Sequence, residues 1–235
     1  MAKFLFVQCN LSWGGSEYLW FGAAKWLQSQ GHEVRLRLAN PKNEQGSRER
    51  YSSFPHVRWA LHYPSTLLER IQTKLFGNQV WMKDLSEKFD GVIVFSQGNA
   101  HDGLALMESA LPSGAKIVTI SQAVRDNDWP DDSQADRIIN VFSKAARYYF
   151  GSTNNLEFFE RRLGYQVSNA AFVWNPYQVS YGVKPSWPGS STMKLLSLAR
   201  LWPLDKGQEP SYLSFGIKKM ARTRLVSHFR RARGR

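Results

Sequence analysis

Gly91-Val-Ile-Val-Phe-Ser-Gln-Gly-Asn99 is the segment on which the fold turns. Four apolar residues in a row, Val92 to Phe95, leave no polar face, so the segment reads as a core strand covered on both sides. Ser96 to Asn99 follow at once and read as a polar turn. A helix is then predicted from about Asp102 to Leu111, and another strand over Lys116 to Ser121. Strand, turn, helix and strand at this spacing point to a mostly parallel sheet with helices on both faces.

The same alternation extends in both directions. Lys3 to Val7 reads as the first strand, and Ser12-Trp-Gly-Gly15 as a turn. Ser16 is placed to cap a helix over Glu17 to Gln30, with Leu19, Ala23, Trp26 and Leu27 on its apolar face. Gly31 suits the position that ends it. Val34, Leu36 and Leu38 alternate with charged neighbours, a period-two strand, and Asn40 to Ser53 reads as a flexible loop. Val57 to Tyr63 is a third strand, followed by helices over Pro64 to Phe76 and Val80 to Phe89. Beyond Ser121 come an acidic loop, Asp126 to Asp132, a helix over Gln134 to Arg147 and a short strand at Tyr148 to Gly151. A helix from Asn154 to Leu163 and a strand from Ala171 to Trp174 close the first unit. Residues 1–176 thus form one domain, 177–192 a Pro-, Gly- and Ser-rich linker, and 193 opens a second.

Composition narrows the class. Of 235 residues 43% are hydrophobic, enough for a sizeable core. The one cysteine, Cys9, excludes an intrachain disulfide and suits a reducing, cytoplasmic setting. Neither a signal-peptide core nor a membrane-length apolar run appears. The net charge of +12 is uneven: from Glu209 onward eight Lys or Arg face a single acid. Those 27 residues therefore hold most of the positive charge, and the expectation is an aberrant or disordered basic tail. Ile217, Met220, Leu225, Val226 and Phe229 interleave with its cations, which leaves peripheral contact with anionic membrane open. Phosphate contacts would be non-specific, so no specific nucleic-acid partner is expected.

Met193-Lys-Leu-Leu-Ser-Leu-Ala-Arg-Leu-Trp-Pro-Leu-Asp-Lys-Gly-Gln208 reads as a strand over Leu195 to Leu198, then Arg200 and Lys206-Gly207. Two cations and a glycine past a strand end suit a phosphate-binding turn. Arg offers a planar fork of donors and Lys a point charge, so together they could hold a diphosphate.

Four blocks, in order, now resemble the GT-B glycosyltransferases of the family-4 type. They are Gly14-Gly-Ser-Glu17 with Gly31-His-Glu-Val34; the strand ending in Ser96-Gln97-Gly98 with Lys116 to Ser121; Gly151-Ser152 leading to Asn175-Pro176; and Ala199-Arg-Leu with Lys206-Gly-Gln208. The resemblance implies a doubly wound α/β acceptor-side domain, Rossmann-like, and at 193–208 the start of a donor-binding domain. It implies transfer of a sugar from an NDP-sugar, with retention, to an acceptor that could be a glycan, a lipid or a small molecule. Arg200 and Lys206 match the pair that holds the donor diphosphate. Gly14 and Gly15 match the glycine loop near the reacting centre, where the lack of Cβ atoms lets backbone N–H groups come close to a ligand oxygen.

Two departures matter. Many family members place a histidine where this chain has Ser121-Gln122, and His101 does not fill that slot. Gln122 could hold an acceptor hydroxyl but cannot act as a general base, since its amide does not titrate near neutral pH. The family's acidic pair beyond Lys206 has no counterpart, because Glu209 is the last acid. The expectation is a truncated member, weakly active or inactive. The alternative is a non-enzymatic module that binds an acceptor or a partner.

No cofactor is expected beside the NDP-sugar co-substrate, and no metal. Asp126-Asn-Asp128 has the spacing of a metal-holding Asp-x-Asp, yet with Trp129-Pro-Asp-Asp132 after it the segment reads as a turn. No HExxH or paired-cysteine spacing occurs.

Overall fold

A computed structural model of the chain describes residues 1–9, 15–38, 47–59, 85, 87–125 and 129–177. These belong to one compact unit, Met1–Ser180. The elements in chain order are β1 (Lys3–Gln8), α1 (Glu17–Ser29), β2 (Glu33–Leu38), α2 (Ser47–Arg50), β3 (His56–Trp59), β4 (Val92–Asn99) and α3 (Leu104–Ala110). A 3-10 turn at Leu111–Ser113 leads to β5 (Lys116–Ala123), α4 (Asp132–Lys144), β6 (Arg147–Phe150), α5 (Thr153–Leu163) and β7 (Ala170–Phe172).

The described strands make one seven-stranded sheet, ordered β3-β2-β1-β4-β5-β6-β7. Every neighbouring pair is parallel. The strand order reverses between β1 and β4. In open α/β sheets that switch point opens a crevice at the carboxyl ends of the strands, where ligands bind.

Each face of the sheet has its own core. On one, Leu5, Val7, Ile93, Phe95 and Ile117 pack with Met107 of α3, Ile138, Val141 and Phe142 of α4, and Phe159 of α5. Phe142 and Tyr148 stack there with ring centroids 4.3 Å apart, and Phe159 meets both edge-on. On the other, Phe6, Val34, Leu36, Leu38 and Val94 pack with Trp20 and Ala24 of α1 and with Tyr51 and Phe54.

The doubly wound parallel reading therefore holds, with corrections in detail. Ser96 to Asn99 are strand and not turn: Ser96 pairs with Ile120, Gln97 with Ser121 and Asn99 with Ala123. Ser16 does not cap α1 with its side chain; its own backbone is already helical. Its hydroxyl donates instead to Glu17 Oε2 at 2.7 Å. The buried stripe of α1 is Glu17, Trp20 and Ala24, whereas Ala23 and Trp26 are exposed. The stretch read as a loop over Asn40 to Ser53 contains α2, and Tyr51 just after it is buried. The helix expected through Phe89 has ended by Glu87, and Arg147 opens β6 rather than closing α4. The helix over Pro64 to Phe76 lies outside the described residues.

Gly31 ends α1 as the sequence predicts, at φ +79°. His32 N–H donates to the Leu27 carbonyl at 3.1 Å and Gly31 N–H to that of Gln28 at 3.0 Å. This nested pair is the Schellman arrangement, and it turns the chain directly into β2. Asp131 and Ser152 cap α4 and α5, accepting from Gln134 N–H at 2.8 Å and Asn155 N–H at 3.2 Å.

Candidate functional site

The apolar interiors of β1, β4 and β5 give way to polar residues at one end: Gln8, then Ser96, Gln97 and Asn99, then Ser121 and Gln122. Gln8, Ser96, Gln97, Asn99 and Ser121 are all buried. Buried polar side chains persist where hydrogen bonds satisfy them. Here the bonds of Gln97 and Asn99 fix the loops that leave the sheet.

Gln97 donates through Nε2 to the Ala100 carbonyl at 3.0 Å and the Asp102 carbonyl at 2.9 Å. Two carbonyls facing one nitrogen settle the orientation of its amide. Tyr148 reaches the same loop, its hydroxyl donating to the Ala100 carbonyl at 3.1 Å. Burial pushes the Tyr148 phenol far up, although the Ser121 hydroxyl and the Arg162 charge pull the other way. The phenol thus stays protonated and serves as a brace. Asn99 joins the β4–α3 loop to the β5–α4 loop: its N–H donates to Asp102 Oδ2 at 2.7 Å, and its Oδ1 accepts from Arg125 N–H at 3.1 Å. Arg162 of α5 donates to the Arg125 carbonyl at 3.1 Å.

Gln122 stands at the end of β5, half-buried. Its backbone carbonyl accepts from Asn155 Nδ2 at 3.2 Å, and its side-chain Oε1 accepts from Asn175 Nδ2 at 3.0 Å. With the oxygen held, Nε2 is the end of the amide left to donate, and it makes no hydrogen bond among the described residues. Gly151 lies against it, where a Cβ would come 3.4 Å from the Gln122 carbonyl oxygen.

Gly15, just before α1, is exposed, and a Cβ there would meet nothing within 4 Å among the described residues. Its φ is not positive, unlike that of Gly31, Gly103, Gly114 and Gly164. Neither turn geometry nor crowding therefore calls for glycine at 15, which leaves open space over the helix N-terminus. Glu17 follows in the first turn, fully buried, where the helix dipole favours a carboxylate. Gly14, Arg200 and Lys206 lie outside the described residues, as do Asp126 and Asp128.

Cys9 is half-buried beyond β1, its N–H donating to the Ser96 carbonyl at 2.9 Å. Burial, aided by the Asp102 carboxylate, pushes its thiol far above the usual range, which disfavours the thiolate. His101 sits in the β4–α3 loop, half-buried, and not at the end of β5. Among the described residues no group of three or more His, Cys, Asp or Glu could hold a metal ion. No helix among them is long and apolar enough to cross a membrane.

The sequence singled out Gly15 and Gln122 as candidates, but not the residues that contact Gln122. Asn155 and Asn175 lie 33 and 53 positions from Gln122, and no local pattern announces such contacts.

No protein-family model matches the sequence, and no curated protein does. Solved structures do match. Anabaena HepE (Alr3699) in complex with UDP aligns with TM-score 0.51 and 12% identity, over 74% of this chain and 44% of that one. The fold is that of a GT-B α/β domain. The lipopolysaccharide outer core galactosyltransferase WaaB, in apo form, aligns with TM-score 0.49 and 12% identity over 76% of this chain and 47% of that one. Acinetobacter baumannii MurG gives 0.48 and 13% over 77% and 47%. The chain thus spans less than half the length of each. At such identities the likeness concerns the fold alone.

Proposed function

We propose that this chain supplies the acceptor-side domain of a GT-B glycosyltransferase of the family-4 type, which moves a sugar from an NDP-sugar to an acceptor with retention. The observation behind this reading is the polar carboxyl edge at the switch point, with Gln122 Nε2 free to donate and open space above Gly15. A GT-B fold makes that edge the place where substrate chemistry is expected. The sequence motifs add the donor side. In such a reaction the diphosphate departs as the anomeric carbon gains positive character, so cations on the diphosphate stabilise the transition state. Arg200 and Lys206 are assigned that task, and the Gly14-Gly15 backbone N–H groups approach the reacting centre. Gln122 holds an acceptor hydroxyl oxygen through Nε2 and moves no proton. HepE bound to UDP, and to UDP-glucose in a companion structure, makes uridine donors the first to try.

The test is calorimetric titration of the purified chain with UDP- and GDP-sugars. It is run beside an Arg200→Ala, Lys206→Ala double variant and a Gly15→Ala variant. Gly15→Ala should leave the melting temperature unchanged or higher, since no neighbour or backbone angle opposes a methyl group there, yet weaken donor binding. Micromolar binding lost in the double variant supports the reading. A folded chain that binds no nucleotide sugar would reject it in favour of a module that binds an acceptor or a partner without catalysis.

A further inference from the structure

Each asparagine that holds Gln122 brings an exposed tryptophan with it. Asn175, whose Nδ2 donates to Gln122 Oε1 at 3.0 Å, directly follows Trp174, which is 79% exposed. Asn155, whose Nδ2 donates to the Gln122 carbonyl at 3.2 Å, stands on the first turn of α5. Phe158 comes three positions later, so the two are neighbours on the helix surface. Trp129 meets Phe158 edge-on, with ring centroids 6.1 Å apart, and is itself 57% exposed. The amide at the end of β5 is thus joined to two indoles, one on the exit of β7 and one on the loop before α4. Strands β5 and β7 are separated by β6, two strand spacings or about 10 Å.

A single exposed aromatic ring is ordinary on a protein surface. Two rings tied to one amide, whose Nε2 makes no hydrogen bond among the described residues, form a surface of a particular kind: broad apolar faces around a polar donor. Sugar rings match it, because their C–H faces are apolar and the hydroxyls on their rims donate and accept. Charge narrows the class further. In sequence, Arg125 to Asp132 holds four acids and one base. Like-charge repulsion there disfavours a phosphate-bearing acceptor or an anionic lipid surface.

We propose that the acceptor is a neutral oligosaccharide, laid across Trp129 and Trp174 with a hydroxyl oxygen on Gln122 Nε2. This rests on the transferase reading, whose acceptor it names.

The test titrates the full chain, without nucleotide, against tetrasaccharides of glucose, mannose, galactose and N-acetylglucosamine, and against phosphatidylglycerol vesicles. Trp174→Ala, Trp129→Ala and Gln122→Ala are run beside the native sequence, with Trp26→Ala, an exposed ring on α1, as the control. Trp174 and Trp26 are the more exposed, so an unchanged melting temperature should verify both folds even if Trp129→Ala loosens its contact with Phe158. At least one tetrasaccharide should bind. Trp174→Ala should weaken it about fivefold to tenfold, the order of one aromatic contact, and Trp26→Ala should not. No tetrasaccharide binding by the folded chain overturns the proposal. So does affinity that Trp174→Ala leaves unmoved, or that Trp26→Ala lowers equally. Vesicle binding lost in Trp174→Ala, without glycan binding, would make the acceptor a lipid instead. Nucleotide-sugar binding without glycan binding would remove this acceptor class and keep the transferase reading; the reverse would keep the glycan site and remove transfer.

Discussion

On a single face of one sheet, β1 and β4 present Leu5, Val7, Ile93 and Phe95, while β2 and β3 present Arg35, Arg37, His56 and Arg58 in the same rows. The first region is sealed by α3, α4 and α5; the second borders a cavity. Parallel strands are normally covered on both faces and read as unbroken apolar runs. Where the run is unbroken, as in Val92 to Phe95, the strand lies at the centre of the fold. Where charge alternates with apolar residues, as in Glu33 to Leu38, the strand owes its place to its other face, on which Val34, Leu36 and Leu38 are buried.

The contrast is broken most forcefully by truncating one residue from each region of a single row. Ile93 is fully buried and touches the main core, so Ile93→Ala should cost about 2–5 kcal/mol in urea unfolding. Arg35, in register with Leu5 next door, has a side chain 48% exposed. Arg35→Ala should change stability by about 0.5 kcal/mol or less. Comparable losses at the two sites would mean that the basic region is as tightly sealed as the apolar one.

A smaller effect sharpens the comparison at the carboxyl end of the apolar region. Gly103 precedes α3 at φ +75°, and a Cβ there would lie 2.5 Å from Cys9 Sγ. Gly103→Ala should cost about 1–3 kcal/mol from the left-handed backbone alone, with the clash in addition. Adding Cys9→Ala removes the sulfur but not the backbone strain, so the double variant should recover part of the loss. Full recovery would show that crowding and not conformation fixes glycine there; no recovery would show the reverse. Nothing comparable constrains Gly15, which is why substitution there is expected to be silent in stability.

Legibility followed the same division. The central strands were plain from their apolar runs, and Gly31 from its place after a helix. The polar end of β4 was misread because composition cannot distinguish a turn from a strand whose last residues still pair with Gln97↔Ser121 and Asn99↔Ala123. The facing of α1 was misread because Tyr18 to Leu27 is apolar almost all round, so no stripe fixes its phase. Gln122 could be found by its position after β5, but its setting depends on Asn155 and Asn175, brought in by the whole topology. The basic cavity was hidden for a related reason: Arg35 and Arg37 look like an ordinary solvated strand face until register sets them beside Arg58.

The smallest expected effect concerns the field of that basic region. Glu33 accepts from the Arg35 guanidinium, which holds its carboxyl below the ordinary carboxylate range, and Lys3 and His56 add to the pull. A carboxyl lowered on folding contributes stability that is fully present above the unfolded value of about 4.3 and is lost as pH falls through the folded one. The urea midpoint should therefore decline below about pH 4.3, and Glu33→Gln should flatten part of that decline. The pair is open to solvent on the Arg35 side, so its share should fade between about 0.05 and 1 M salt, as the screening length shrinks to about 3 Å. An acid limb identical in Glu33→Gln at low salt would mean that the cations of β2 and β3 act on the cavity side alone. A limb that flattens and then merges with the native curve in salt would place their field on both sides of the strand.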